Sequence, residues 1–163
     1  MNFSSAVFQK VSALAREKNL RFVAINRRGY SGSTPFSDAD ATLFTSGSDS
    51  EKAGWLKHRG CEIFNFVDAF ILREKLSPVS ADGKNGGIAL LGWSFGTLFT
   101  AAAIAHVADL PSPVQARLAS YLRVHIMQGL PMALSLSLTH HIFAFRTAIH
   151  RLWPAYPSPD IFA

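Results

Sequence analysis

One cysteine, Cys61, stands in a chain of 163 residues, so no internal disulfide framework holds the fold together. A thiol-poor chain of this kind suits a reducing compartment. Cys61 falls on an apolar helical face, which predicts a packed structural thiol. Charge is scarce as well. Asp, Glu, Lys and Arg make up 17% of the residues, and the net +5 is scattered over Arg16, Lys18, Arg21, Arg27, Arg28, Lys52, Lys57 and later positions. With no dense basic block, nucleic acid is not an expected partner, and the charge reads as a solubility term. Internal repeats and low-complexity tracts are missing. Met1 leads straight into an amphipathic segment with no signal-peptide pattern, so a cytoplasmic location is favoured. Gly86 to Val107 carries no full charge, a length that would reach across a membrane. Gly92, Ser94 and Gly96 would break a single helix there, and no membrane span is expected.

What the chain has is apolar bulk: 48% hydrophobic residues, including 13 Phe, enough for one domain over residues 1–163 with a sizeable core. Ser4 or Ser5 can cap a first helix with apolar positions Val7, Phe8, Val11, Leu14 and Ala15, ended by Asn19. Leu20 to Asn26 has the β-branched and aromatic content of a buried strand. Arg27 to Pro35 is a loop, and Asp38 to Phe44 suits a short helix. Ser50 to Leu76 is the longest helix, with Leu56, Ile63, Phe64, Val67, Phe70 and Ile71 facing inward.

Gly86-Gly87 punctuates a short buried strand, Ile88 to Trp93. The sequence Gly92-Trp93-Ser94-Phe95-Gly96 follows, and then an Ala- and Leu-rich helix to Val107. A serine between strand and helix is pushed into the open, with Gly92 and Gly96 expected to relieve collisions across so tight a turn. The helix start adds N–H groups and a positive dipole end where negative charge develops in acyl transfer. A helix over Val114 to Tyr121 leads to a further strand, Leu122 to Gln128. Met132 to Ile149 is expected to be helical, and a proline-rich tail closes the chain. Alternating helix and strand at this spacing predicts βαβ units: an α/β fold with a parallel sheet of about three strands and helices on both faces. The Arg27–Pro35 loop and the Ser94 turn should emerge at one sheet edge as neighbours.

Two motifs carry a resemblance. Asn26-Arg27-Arg28-Gly29-Tyr30-Ser31-Gly32-Ser33-Thr34 and Gly92-Trp93-Ser94-Phe95-Gly96, with a helix between them, resemble the α/β-hydrolase superfamily, especially its fungal hydrolase-like branch. The likeness covers roughly residues 3 to 135. It implies a partial α/β-hydrolase fold with Ser94 as nucleophile on an ester or related carbonyl of a small molecule, and no cofactor. It also implies the Phe95 backbone N–H as one oxyanion donor, with an acid and then a histidine later in the chain. Arg27, Arg28 and Tyr30 are candidates for binding an acidic group of the substrate, with loop stabilisation as the alternative. The departures are plain. The family's His-Gly loop would fall ahead of Asn2, where only Met1 stands, and the strand carrying it is missing. Gln128 occupies a position where the family tends to have an acid. The expectation is therefore the middle portion of a hydrolase domain, from a shortened product or an incomplete gene model.

Among the six histidines, His106 lies three turns along the serine helix, about 18 Å from Ser94 by helical rise, too far to be its base. His125 lies within a strand and is expected to pack. His140, His141 and His150 follow Ser94 in order and are the available stand-ins, against an ordinary reading as surface residues. Adjacent His140 and His141 do not face each other on a helix, and no partner has ligand spacing, so no metal site is expected. Asp160 is the only acidic residue after Asp109, and a solvated tail position suits it. Two functions stay open: an esterase-like serine hydrolase working through an acyl-enzyme on Ser94, or an inactive fragment or pseudoenzyme that at most binds a partner. Substrate identity and oligomeric state are not readable.

Overall fold

The computed structural model describes residues 8–129. The chain divides between Lys52 and Ala53 into two compact units. The expected N-terminal positions Ser4, Ser5 and Val7, the helix over Met132 to Ile149, the tail, His140, His141, His150 and Asp160 lie outside the described residues.

The first unit contains helix α1, Gln9–Glu17, which ends two residues before Asn19; Asn19 turns left-handed at φ 54°. Residues 20–26 do not form the expected strand. Val23 and Ile25 have strand-forming side chains, but a strand needs a neighbour for its ladder, and none is present among the described residues. Leu20, Val23 and Ile25 are exposed, while Phe22 stacks at a tilt on Phe8 with centroids 5.7 Å apart. A tight loop follows, closed by Gly29 N–H donating to Thr34 O at 2.9 Å. Helix α2, Asp38–Ser46, starts with a capping box: Asp40 N–H donates to Ser37 Oγ, and Ser37 N–H donates to the Asp40 carboxylate.

Helix α3, Asp49–Glu74, runs across the division and supplies the second unit with a buried stripe of Gly60, Phe64, Val67 and Ile71. The three- and four-residue spacing puts all four on one face. Phe70, expected inside, is half-buried and stacks on Phe66. Strand β1, Ile88–Trp93, follows Gly86 and Gly87, both at positive φ. Helix α4, Gly96–Ala105, a 3-10 turn at Val107–Asp109 and helix α5, Ser112–Tyr121, lead to strand β2, Leu122–Gln128. β2 pairs parallel to β1, with Leu90 opposite His125 and Trp93 opposite Gln128. Parallel pairing requires such a crossover, so the unit is βαβ and the protein is of mixed α/β class.

Phe64, Leu118, Ala103, Ile104, Leu90 and Leu122 meet in one core drawn from α3, α4, α5 and both strands. Arg117 of α5 bonds Asp68 of α3, and the Tyr121 hydroxyl donates to Leu76 O at 2.9 Å. Side chains alternate across a strand. Leu90, Gly92 and His125 thus face α4, while Ala89, Leu91, Val124 and Ile126 face away and are exposed. Among the described residues two strands are found rather than about three, and there the helices cover one sheet face rather than both. No helix among the described residues is long and apolar enough to cross a membrane, because the uncharged run from Gly86 is split between β1, a turn and α4.

Candidate functional site: the Ser94 turn

β1 ends at Trp93 and α4 begins at Gly96, so Ser94 and Phe95 alone make the junction. Reversing from strand to helix in two residues forces an unusual backbone: Ser94 lies in the left-handed region at φ 51° and is exposed. A non-glycine residue pays roughly 1–2 kcal/mol for that conformation. Two sets of hydrogen bonds hold it there. The Ser94 N–H donates to Gln128 O at 2.7 Å, beyond the last rung of the sheet. The Ser94 carbonyl accepts from the Thr97 N–H at 3.0 Å and from Thr97 Oγ1 at 2.7 Å.

Gly92 is required by this geometry, since a side-chain carbon there would sit 2.7 Å from Thr97 Cα. Gly96 is not. A side-chain carbon at Gly96 would meet open space, and the expected collision at that position does not occur. Gly129, just past β2, turns left-handed at φ 71° and lies against the serine, with a built Cβ 3.8 Å from Ser94 N.

Phe95 takes helical angles at the start of α4, φ −58° and ψ −20°, and its side chain is 53% exposed. The first N–H groups of a helix have no carbonyl one turn back, and the dipole there is positive. The Phe95 ring meets Phe99 edge-on at 5.4 Å, and Phe99 meets Trp55 of α3 edge-on at 5.9 Å. An aromatic ridge thus runs from the serine turn back along α4.

Two histidines after Ser94 lie among the described residues, and both are committed elsewhere. His106 caps the far end of α4 and pairs through Nδ1 with Asp109 Oδ2 at 3.1 Å. Lys57 Nζ meets the same oxygen at 3.1 Å. Hydrogen bonds from Lys57 and then His106 hold the Asp109 carboxyl below its ordinary range. His125 does pack, facing α4 with Nε2 2.8 Å from Thr100 Oγ1. Burial pushes its pKa down to about 4, so it is neutral at pH 7. The Cys61 thiol is pushed up, first by burial and then by Asp109, which disfavours a nucleophilic thiolate. No group of three or more metal-ligating side chains exists among the described residues.

Arg27, Arg28 and Tyr30 belong to the first unit, Ser94 and Phe95 to the second. Arg27 Nη2 donates to the Tyr30 hydroxyl at 3.1 Å, with the guanidinium carbon 5.0 Å from the ring centre. Arg28 Nη1 donates to Pro35 O at 3.4 Å. Within that unit these contacts stabilise the loop itself. Sequence reasoning missed Thr97, Thr100 and the Gln128 carbonyl. Two threonines three apart in an otherwise apolar, Ala-rich helix were the available signal. No protein-family model matches the chain, and no curated protein or solved structure matches it.

Proposed function

We propose that this protein is a serine hydrolase of α/β-hydrolase type, related to the fungal hydrolase-like branch and esterase-like in its chemistry. One observation carries the reading: Ser94 is exposed at φ 51° on a two-residue junction between a parallel strand and a helix. Strain of this kind persists where the surroundings over-determine it, and it concentrates at reactive positions. In the proposed reaction Ser94 Oγ attacks the carbonyl carbon of a small-molecule ester as its proton passes to a base. The tetrahedral oxyanion is met by the Phe95 N–H and the positive end of α4. Collapse expels the alcohol and leaves an acyl-serine, which water then hydrolyses. No cofactor enters this chemistry.

A second reading has its own support. His106 and His125 are both engaged away from the serine, so among the described residues no base stands ready. A serine without its partners retains little activity, because the group acts as a unit. On that reading the chain is a catalytically inactive pseudoenzyme that acts at most as a binding or interaction domain. Fluorophosphonate labelling of folded protein separates the two. The hydrolase reading expects labelling that Ser94→Ala abolishes, and unlabelled folded protein would leave only the second.

A further inference from the structure

Thr97 and Thr100 are the two buried polar residues among those described, at 0% and 6% exposure on the apolar face of α4. A buried hydroxyl is costly unless it is bonded, and β-branched threonine gains nothing in helix propensity. Both hydroxyls are bonded, and the two bonds meet at Thr97, one leaving its hydroxyl and the other arriving at its main-chain carbonyl. Thr97 Oγ1 donates to Ser94 O at 2.7 Å, and Thr100 Oγ1 donates to Thr97 O at 3.1 Å. His125 of β2 reaches Thr100 Oγ1 at 2.8 Å. Counting protons orders the chain. A threonine hydroxyl has one proton, and Thr100 gives it to Thr97 O, so the His125 contact needs the proton on Nε2. His125 is therefore assigned as the Nε2–H tautomer, donating into α4.

We propose that His125, Thr100 and Thr97 form a positioning relay that holds Ser94 in its left-handed conformation. The serine peptide is tied at both ends to β2. Its N–H reaches the Gln128 carbonyl directly, and its C=O is reached through Thr97, Thr100 and His125. Gly92 makes the arrangement possible, because a side chain there would push Thr97 away. His125 thus acts on the turn from a position opposite Leu90, four residues back along the neighbouring strand. The relay rests on the nucleophile reading only for its catalytic consequence.

Amide exchange, read by NMR on the full chain, tests it. Thr97→Val and His125→Phe remove one bond each, and exchange at the Ser94 amide is expected to quicken at least tenfold. The Leu90 and Leu118 amides should hold their wild-type rates, and Thr97→Ser should restore protection at Ser94. Unchanged Ser94 exchange, or equal acceleration at all three amides, overturns the relay. Should the variants fail to fold, the wild-type His125 ring decides: nitrogen shifts reporting the Nε2–H tautomer uphold the proposal, and Nδ1–H reverses its order and removes it. Fluorophosphonate labelling reports separately. An unreactive wild type removes the hydrolase reading while the exchange result still judges the relay.

Discussion

Gly60 of α3 and Ala103 of α4 are in backbone contact: a Cβ built on Gly60 would lie 2.6 Å from the Ala103 nitrogen and 2.7 Å from the Ala102 carbonyl carbon. The two helices are pressed together at a point where no side chain fits between them. Replacing a mid-helix glycine by alanine ordinarily stabilises by up to about 1 kcal/mol. Here the added methyl forces the helices apart, and Gly60→Ala is expected to cost roughly 1–3 kcal/mol instead. Gly54, on the same helix with open space around it, supplies the control. Gly54→Ala should gain about 0.5–1 kcal/mol. Opposite shifts of the two urea midpoints would bear this out, and equal shifts would refute it.

The strain at Ser94 makes a second forecast, free of any assumption about activity. Glycine normally destabilises relative to alanine by about 0.5–1 kcal/mol through its extra freedom in the unfolded chain. At φ 51° the order should invert, because alanine keeps the left-handed penalty and glycine escapes it. Ser94→Gly is expected to melt above Ser94→Ala by the equivalent of about 0.5–1 kcal/mol. A glycine variant less stable than the alanine one would mean that the turn carries no strain.

His125 sets a pH window. Its pKa falls from 6.5 to about 4 on folding because burial disfavours the imidazolium. The unfolded chain therefore takes up a proton at this site near pH 6.5, while the native chain resists until about pH 4. Its contribution to stability is complete above pH 6.5, declines as pH falls, and is gone below about 4. Residual solvent access trims the effect to an order of 2 kcal/mol. The carboxyls of Glu51, Asp82 and Asp109 are held below their ordinary 4.5, 3.8 and 3.8, so they too lose stability on acidification, at and below the acid end of this window. Urea titrations at pH 5.5 and 7, above the range where these carboxyls take up protons, should differ in the wild type and converge in His125→Phe; a persistent difference in the variant would place its origin elsewhere.

Both strands were legible to the residue, Ile88–Trp93 as an apolar run preceded by Gly87, and Leu122–Gln128 as Leu122, Val124 and Ile126 alternating with Arg123, His125 and Met127 and ended by Gly129. The long helix was equally plain from the recurrence of Phe64, Val67 and Ile71. Leu20 to Asn26 misled because strand propensity describes side chains that suit a pleated sheet, while a strand exists only where a second backbone accepts its hydrogen bonds. Gly60, Thr97 and Thr100 were hidden for a related reason. Gly60 meets the α4 backbone, Thr97 lies against Gly92 of β1 and Thr100 reaches His125 of β2, and although two threonines three apart stand out in α4, no spacing announces which elements they will meet. Gly96 is the converse case: the motif predicts crowding on both sides of the serine, and the crowding is on the Gly92 side alone.

Where Gly129 turns against Ser94, the polypeptide departs from β2 within touching distance of the serine backbone. A group joined at Gly129 through a short flexible link would be held near the hydroxyl at a local concentration of roughly millimolar. Joining an imidazole-bearing peptide at that exit would supply a base to the serine by connection alone, with no docking surface needed.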